Sequence, residues 1–389
     1  MAFISSNANR WYCAREAAYG QVAAITGSHR IPAVKMTARQ QREKSTRKDK
    51  TGSRTFTGLP AGMRLQTSFS LTSYMRDWPE PTVLPAHGVL IEGAMGAPGA
   101  LWAGGAAAAG CTASTLIFSA PHHLTPGQAV SFGGEIRFVA GVAGPLTAVL
   151  NAPLSLAPVA GDAISPTANY ALAAELPSVS LFDYWDPSTA VQRVFSGAAV
   201  DKMNIQLNGD FHQFEFRGAA QDVIDSSSFN TGQGGAEIYP AEPAATGFNY
   251  SPIAGNLGQV WLGVVPNKFL TVANASIEIH NDLELRTKEF GATLPRGIVP
   301  GNRSVSLALE LMGQDDEATT ALYQAARQQS PVSVMLQLGQ AQGQLVGIWL
   351  KSLVPTVPEF DDADRRLQWK FGDTKAQGTV DDEIVVAFA

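Results

Sequence analysis

The chain has 389 residues, of which 45% are apolar and only 16% are charged, and its formal net charge is −6. This length allows two or three domains with a substantial buried core. Residues 1–199 carry 15 Lys/Arg and 11 Asp/Glu, a net +4, whereas residues 200–389 carry 13 and 23, a net −10. This division argues against a protein that grips nucleic acid along its length. The low charge content indicates that other subunits cover part of the surface.

The two cysteines, Cys13 and Cys111, lie far apart in the sequence. Their spacing fits neither a metal-binding motif nor a disulfide framework, which favours a reducing compartment. Residues 1–11 lack the basic and apolar segments of a signal peptide. The most apolar run, residues 100–111, is too short and too rich in glycine to cross a bilayer. We therefore predict neither export nor membrane association.

The first distinctive segment is basic and contains several glycines. Within residues 39–54, seven basic side chains accompany two acidic ones, Glu43 and Asp49. The basic residues are Arg39, Arg42, Lys44, Arg47, Lys48, Lys50 and Arg54. No aromatic side chain lies among them to stack on a base, which disfavours a nucleic-acid grip. One interpretation is a solvated, flexible loop. The other is a loop that becomes ordered on an acidic neighbour, such as the second half of another copy.

Strand and helix patterns follow this loop. Residues 65–71 alternate as in a strand, and residues 85–96 form a helix candidate weakened by glycines. Alternation returns at residues 203–207 and 214–216. The stretch 222–258 is rich in Ser, Gly, Asn, Ala and Pro, which predicts a linker or long loop between two halves.

Residues 97–167 interrupt the first half. They open with a Gly/Ala-rich stretch and contain several short strand patterns. In the segment GEIRFV, alternation places Ile136 and Phe138 inside and Glu135 and Arg137 outside. We interpret this segment as a small β insertion carried on the first domain.

The second half shows the clearest strand patterns. Residues 305–311 and 332–338 each alternate apolar and other side chains, which predicts strands with one buried face. Residues 367–371 and 384–388 alternate as well. Frequent Pro and Gly between these runs are typical of sandwiches and barrels.

A helix is predicted over residues 314–329, between the two strongest strands. Asp315 can cap it, and Asp316 and Glu317 suit its first turn. Apolar side chains recur at intervals of four residues, which gives a stripe that can lie on a sheet. The stripe consists of Ala318, Leu322 and Ala326.

The basic loop has a counterpart in the second half. At an offset of 239, residues 47–64 meet residues 286–303, and five of eighteen positions are identical, where average composition predicts roughly one. The identical pairs are Arg47/Arg286, Gly52/Gly291, Gly58/Gly297, Gly62/Gly301 and Arg64/Arg303. A strand and a helix candidate follow the loop in both halves. The alignment places Leu71 opposite Glu310, so a one-residue shift is needed to match the apolar faces.

Catalytic and metal-binding motifs are missing from the sequence. The pair His122–His123 lacks a third ligand, and exposed loop histidines are the preferred interpretation. The acidic residues 361–364 are interpreted as a solvated turn. Trp349 and Trp369 suit core packing, with sugar stacking as the alternative. We predict no catalytic residue, no metal site, no cofactor and no enzymatic activity.

Taken together, these features resemble the major tail (tail tube) proteins of long-tailed bacteriophages. The resemblance covers most of the chain outside the insertion. The segments that carry it are AREAAYG (14–20), RKDKTGSRTFTGLPAGMR (47–64) with LQTSFSL (65–71), GNRSVSLALEL (301–311), DDEATTALYQAARQQ (315–329), SVMLQL (333–338), LQWKF (367–371) and EIVVAF (383–388).

The resemblance implies a mainly β fold with two tail-tube-like domains. Each domain would be a β-sandwich or split barrel with one packed helix. The expected boundaries are a first domain at 1–225, interrupted by the insertion at 97–167, a linker at 226–258 and a second domain at 259–389. The insertion would decorate the outer wall of a tube.

The same resemblance implies a structural virion protein. Rings of three chains, with pseudo-sixfold symmetry, or of six chains would stack into a tail tube that surrounds the tape-measure protein and conducts DNA at ejection. DNA would pass without sequence-specific binding. The protein would assemble in the bacterial cytoplasm and reside in the phage tail.

The implied assembly loop spans residues 39–58, with residues 286–300 as its second copy. The expected contact residues are Arg42, Lys44, Arg47, Lys48, Lys50 and Arg54 in the first loop, and Arg286, Lys288, Gly291 and Arg296 in the second. Other candidates are a surface or secreted β-sandwich that binds carbohydrate or mediates adhesion, and another tail component such as a baseplate or terminator protein.

Overall fold

The computed structural model describes residues 3–42, 50–55, 58, 64–207, 209–244, 248–363 and 365–389. The fold is mainly β, as predicted. In the first half, up to the insertion, the elements are β1 (Asn9–Arg15), β2 (Arg30–Ile31), β3 (Ala33–Arg42), β4 (Leu65–Tyr74) and α1 (Gly88–Met95). The next strands are β5 (Ala100–Trp102), β6 (Gly105–Ala106), β7 (Thr115–Ile117), β8 (Ala129–Phe132), β9 (Glu135–Gly144), β10 (Thr147–Leu150), β11 (Ala163–Ile164) and β12 (Thr167–Ala171). The first half ends with β13 (Val179–Trp185), β14 (Arg193–Gln206), β15 (Gln213–Ala220) and β16 (Asp222–Asp225).

The second half begins with strands that follow a long connection. They are β17 (Gly258–Gly263), β18 (Asn267–Phe269), β19 (Val272–His280), β20 (Glu284–Leu285), β21 (Ile298–Val299) and β22 (Ser304–Met312). After α2 (Glu317–Gln328) come β23 (Val332–Leu338), β24 (Val346–Leu353), β25 (Glu359–Asp361), β26 (Gln368–Lys375) and β27 (Ile384–Phe388). Short 3-10 helices occur at Ser6–Ala8, Gly27–His29 and Gln233–Gly235. None of the helices in the described residues is long and apolar enough to cross a membrane.

One continuous path of eight antiparallel strands runs through both halves. Its order is β3–β4–β15–β14–β19–β22–β26–β25. The two halves meet where β14 pairs with β19, with Ile205 opposite Ile277. The first part of β14 leaves this path and pairs with β13 and β16, and β1 and β2 extend that side. A second sheet has the order β18–β17–β23–β24–β27–β12–β5.

The same order of pairing occurs in both halves. In the first half, β1–β13–β14–β16 and β3–β4–β15–β14 share the long strand β14. In the second half, the corresponding orders are β17–β23–β24–β27 and β19–β22–β26–β25. The single long strand β14 of the first half therefore takes the two positions that β24 and β25 take in the second half. A helix precedes β13 and β23 alike, and the insertion separates α1 from β13. Buried side chains match when Phe69 and Leu71 are aligned with Leu307 and Leu309, one residue away from the ungapped alignment.

The main core lies between the two large sheets. Every second side chain of β22 is buried, beginning with Val305 and ending with Leu311, as its alternation predicts. The expectation of one buried face is wrong for β23 and β27, whose two faces are both largely buried. The reason is the insertion, which packs Ile136 and Phe138 against Met335, Trp349 and Val385 on the outer face of the second sheet.

The insertion is a small β unit with its own core. Its sheet has the order β7–β10–β9–β8, and Leu116, Val130 and Val139 are among its core side chains. The outward placement of Glu135 and Arg137 is wrong, because both are buried. Arg137 Nη2 lies 2.9 Å from Glu135 Oε1, and Arg137 Nη1 donates to Gln337 Oε1 at 3.0 Å. These polar groups lie where the insertion meets the second sheet, which removes them from solvent.

Both predicted helices are present. α1 is almost wholly buried, with Leu90 and Ile91 in the main core. α2 buries Leu322, Ala325 and Ala326, and its N-cap lies one residue later than predicted. Its N-cap is Asp316 rather than Asp315, because the Asp316 carboxylate accepts the backbone N–H of Thr319 at 2.6 Å.

The connection between the halves lies against the first half. Tyr184 donates its hydroxyl to the backbone oxygen of Pro240 at 3.0 Å, and Arg10 pairs with Glu242 at 2.5 Å. Further along, the Arg30 guanidinium lies 4.0 Å from the centre of the Phe248 ring, and Ile253 enters the main core. The described residues of this connection are therefore held by side-chain contacts.

Candidate assembly site

The predicted assembly loop connects two strands at one edge of the eight-stranded path. β3 and β4 form a long antiparallel ladder in which Arg42 lies opposite Leu65. Within the described residues, β3 pairs only with β4, and most of its side chains are exposed. Its outer edge therefore offers unpaired backbone N–H and C=O groups, which are a template for another strand.

The structure locates part of the predicted first loop. Arg42 ends β3, and Lys50 and Arg54 are exposed beyond it. Hydroxyl groups organise the neighbouring segment, where Ser53 Oγ lies 2.9 Å from Thr55 Oγ1. The remaining predicted residues, Lys44, Arg47 and Lys48, lie outside the described residues.

The predicted second loop is a short hairpin closed by β20 and β21. Glu289 bridges its two sides, since it forms salt bridges with Arg286 and with Arg296, the second at 3.8 Å. Gly291 has a φ of +78°, a conformation that L side chains rarely adopt. Lys288 is exposed. Glu289 thus holds two of the predicted arginines on the hairpin.

The two loops meet at the same end of the eight-stranded path. The backbone N–H of Leu65, at the start of β4, donates to the oxygen of Thr293 at 2.9 Å. The side chain of Gln221 donates to the oxygen of Pro295, also at 2.9 Å. The sequence pattern predicted each loop separately, and these contacts bring the second loop beside the base of the first.

Sequence reasoning missed Phe290 at the tip of the second loop. Its side chain is fully exposed, with a relative accessibility of 100%. Burial of this phenyl ring by another molecule would remove apolar surface from water and would therefore be favourable. The signal was visible, because Phe290 directly precedes the matched Gly291.

Two histidines differ from the other candidate groups. His122 is buried, so its interpretation as an exposed loop residue is wrong. Its Nδ1 accepts the backbone N–H of Leu124 at 2.9 Å, so the ring stabilises the turn in which it lies. His87 is fully buried between the rings of Phe214 and Phe388, at 5.5 and 5.0 Å. Burial, assisted by the charge of Arg76, lowers the pKa of His87 to about 3.

The tryptophan and acidic candidates also have structural partners. Trp349 is buried, stacks on Phe138 and donates its indole N–H to Ser333 Oγ at 2.8 Å, which matches the core interpretation. Asp361 pairs with Lys370 at 2.5 Å, and this contact lowers the pKa of the Asp361 carboxyl. Within the described residues, no three His, Cys, Asp or Glu side chains are grouped so as to hold a metal ion.

Residues 87–389 match the family described as phage tail tube protein. The chain belongs to this family. The match includes the second loop, both helices and the insertion, whereas the β3–β4 arm precedes it. No curated protein matches the chain.

Membership of the tail tube family gives the protein a structural role. Proteins of this family assemble with copies of themselves into a tube in the virion tail. A structural family indicates a non-enzymatic protein.

Proposed function

We propose that the protein forms rings that stack into the tail tube, which encloses the tape-measure protein and conducts DNA at ejection. The observation that carries this proposal is the eight-stranded path, in which one order of four strands occurs twice and two edges remain open. Within the described residues, β25 pairs only with β26 at one end and β3 only with β4 at the other.

The junction inside the chain suggests how copies join. β14, the last strand of the first set, pairs with β19, the first strand of the second set. Pairing β25 of one copy with β3 of the next would repeat this relation between chains. Three copies would then supply six sets and close a barrel without free edges. This arrangement is the pseudo-sixfold ring, and the repeated strand order supports two tube-like domains per chain.

The face of the eight-stranded path away from the core would line the channel. It is polar, and three pairs of opposite charges lie on it: Lys202 with Glu278 at 3.1 Å, Arg217 with Glu215 at 2.7 Å, and Lys370 with Asp361. Cations that already have carboxylate partners neutralise fewer phosphates, so passing DNA would bind weakly. The insertion packs on the far side of the second sheet, which supports a place on the outer wall.

Electron microscopy of the purified protein tests the proposal. Regular rings or tubes are expected, and chains that remain monomeric at high concentration would refute it. Deleting residues 44–54 is expected to leave a folded, soluble protein that no longer stacks. A matched control replaces the same residues by a Gly/Ser segment of equal length, which separates the role of loop length from that of charge. Normal tubes from the deletion would contradict the assignment of this loop.

A further inference from the structure

The second half has two distinct ends, defined by the β19–β22 pair. At one end His280 lies opposite Ser304, where the second loop leaves the sheet. At the other end Val272 lies opposite Leu311, and β22 leads from there into α2. A strand of nine residues spans roughly 26 Å from its first to its last Cα, so these ends are separate surfaces.

The end opposite the second loop contains an open apolar groove, which we call the α2 groove. It lies between the β17–β18 turn and α2 and has a volume of about 630 Å³. Val264 and Val265 are 70% and 72% exposed on one wall. Ala318 and Ala321 of α2 form part of the other wall, and Leu322 lies at its base. The volume falls within the range of sites that enclose a small ligand, so a phenyl ring fits.

The first half has a related groove, and an aromatic side chain forms part of its lining. That groove lies between the turn before β2 and the segment that leads into α1, and Arg30, Trp78 and Phe248 line it. The Phe248 ring packs under the Arg30 guanidinium at 4.0 Å. The first groove thus has a phenylalanine of the same chain in its lining, whereas Val264 and Val265 in the wall of the α2 groove remain exposed.

Phe290 and the α2 groove have complementary surroundings. Arg286, Lys288 and Arg296 accompany Phe290, and Glu289 is the single acidic residue between them. The rim of the groove carries Asp316 and Glu317, and Asp315 directly precedes them in the chain. A net positive loop therefore faces a net negative rim when copies stack in one direction.

We propose that Phe290 of one copy inserts into the α2 groove of the next copy along the tube. The contact joins different surfaces of two identical chains, so it is heterologous and propagates as an open stack. It assigns a receiving surface to the second loop and rests on the proposed function, in which copies stack.

Disulfide trapping tests the contact directly. The variant combines Phe290→Cys and Ala321→Cys with Cys111→Ser, because Cys111 is the partly accessible native thiol and Cys13 is fully buried. Mild oxidation of assembled protein should give a ladder of linked chains on non-reducing gels. The control pairs Phe290→Cys with Val380→Cys. Val380 is 77% exposed and lies near Arg303 at the same end as the second loop, so head-to-tail stacking keeps the two thiols apart. A ladder from the control and none from the test pair would overturn the proposal.

Truncating the Phe290 side chain measures how much its phenyl ring contributes to tube stability. Phe290→Ala should raise the protein concentration at which half of the chains are in tubes by roughly 30-fold, as expected for loss of a buried aromatic anchor. Phe3→Ala, which removes another fully exposed phenyl ring, is the matched control and should have little effect. Tubes of wild-type stability from Phe290→Ala would refute the contact and leave the proposed function standing. Failure of the wild-type protein to form rings or tubes would refute the proposed function itself.

Discussion

Removing Arg137 should strongly destabilise the junction between the insertion and the second sheet. The Arg137 side chain has no solvent exposure. Besides Glu135 and Gln337, its guanidinium donates to the backbone oxygen of Pro153 at 2.9 Å and to Gln259 Oε1 at 3.1 Å, and it lies 5.2 Å from the Trp261 ring. One cation therefore connects strands from both sides of the junction.

The magnitude follows from what Arg137→Ala leaves behind. Glu135 would remain buried with its charge, although the N–H of Ser155 at 2.6 Å and Gln259 at 2.8 Å would still donate to it. Removing one partner of a buried ion pair costs about 3–5 kcal/mol of unfolding free energy. Because two donors to Glu135 remain, we expect a loss at the lower end of this range, about 3 kcal/mol. The double variant Glu135→Gln/Arg137→Met removes both charges, so its unfolding free energy should fall by less than that of Arg137→Ala.

Urea unfolding followed by tryptophan fluorescence measures this change, because Trp261 and Trp349 lie at the junction. Lys370→Ala is the matched control, since the Lys370–Asp361 pair is exposed and solvent screening should leave it little effect on stability. If Arg137→Ala and Lys370→Ala had equal effects, the buried pair would not anchor the insertion, and the reasoning would fail.

Two further predictions concern single side chains. Because the pKa of His87 falls from 6.5 to about 3 on folding, the unfolded state binds more protons between these values, and stability is lost as pH falls below 6.5. Between about pH 7 and pH 5, the unfolding free energy of His87→Leu should therefore fall by about 2 kcal/mol less than that of the wild type. Urea unfolding at each pH measures this difference, and parallel pH profiles for the two proteins would contradict it. Asp316→Ala should cost about 1 kcal/mol through loss of the α2 N-cap, whereas Asp315→Ala should stay within about 0.5 kcal/mol; equal melting temperatures for the two variants would show that the cap is unimportant.

Alternation predicted the strands well because it reports which side of a strand is apolar. It located β22, β26 and β27, and the helix pattern located α2 to within a few residues. It did not show what covers the opposite side of β23. The charges of Glu135 and Arg137 suggested solvent, yet their partners include Gln337, 200 residues away from Arg137 along the chain. Burial of this kind depends on tertiary packing, which local periodicity does not encode.

The loops illustrate the same limit. Matching arginines and glycines predicted two similar loops, but the sequence did not predict the backbone hydrogen bond that joins Leu65 to Thr293. This bond joins two backbone groups, so it does not depend on the identity of the side chains and cannot be predicted from the sequence pattern. Phe290 was visible in the sequence, but its exposure could be judged only after the hairpin was placed.

The position of β27 has a consequence for synthesis. This last strand lies between β24 and β12, with Val386 opposite both Ile348 and Tyr170. Strand β12 therefore has no inner neighbour until β27 has been synthesised. Pairing between strands far apart in the sequence closes a large loop, and the chain loses conformational entropy before the new contacts stabilise it. The second sheet should therefore form late in folding. The second sheet therefore cannot be completed before β27 is synthesised, and removing Ile384–Phe388 should leave aggregation-prone protein rather than a shorter tube subunit.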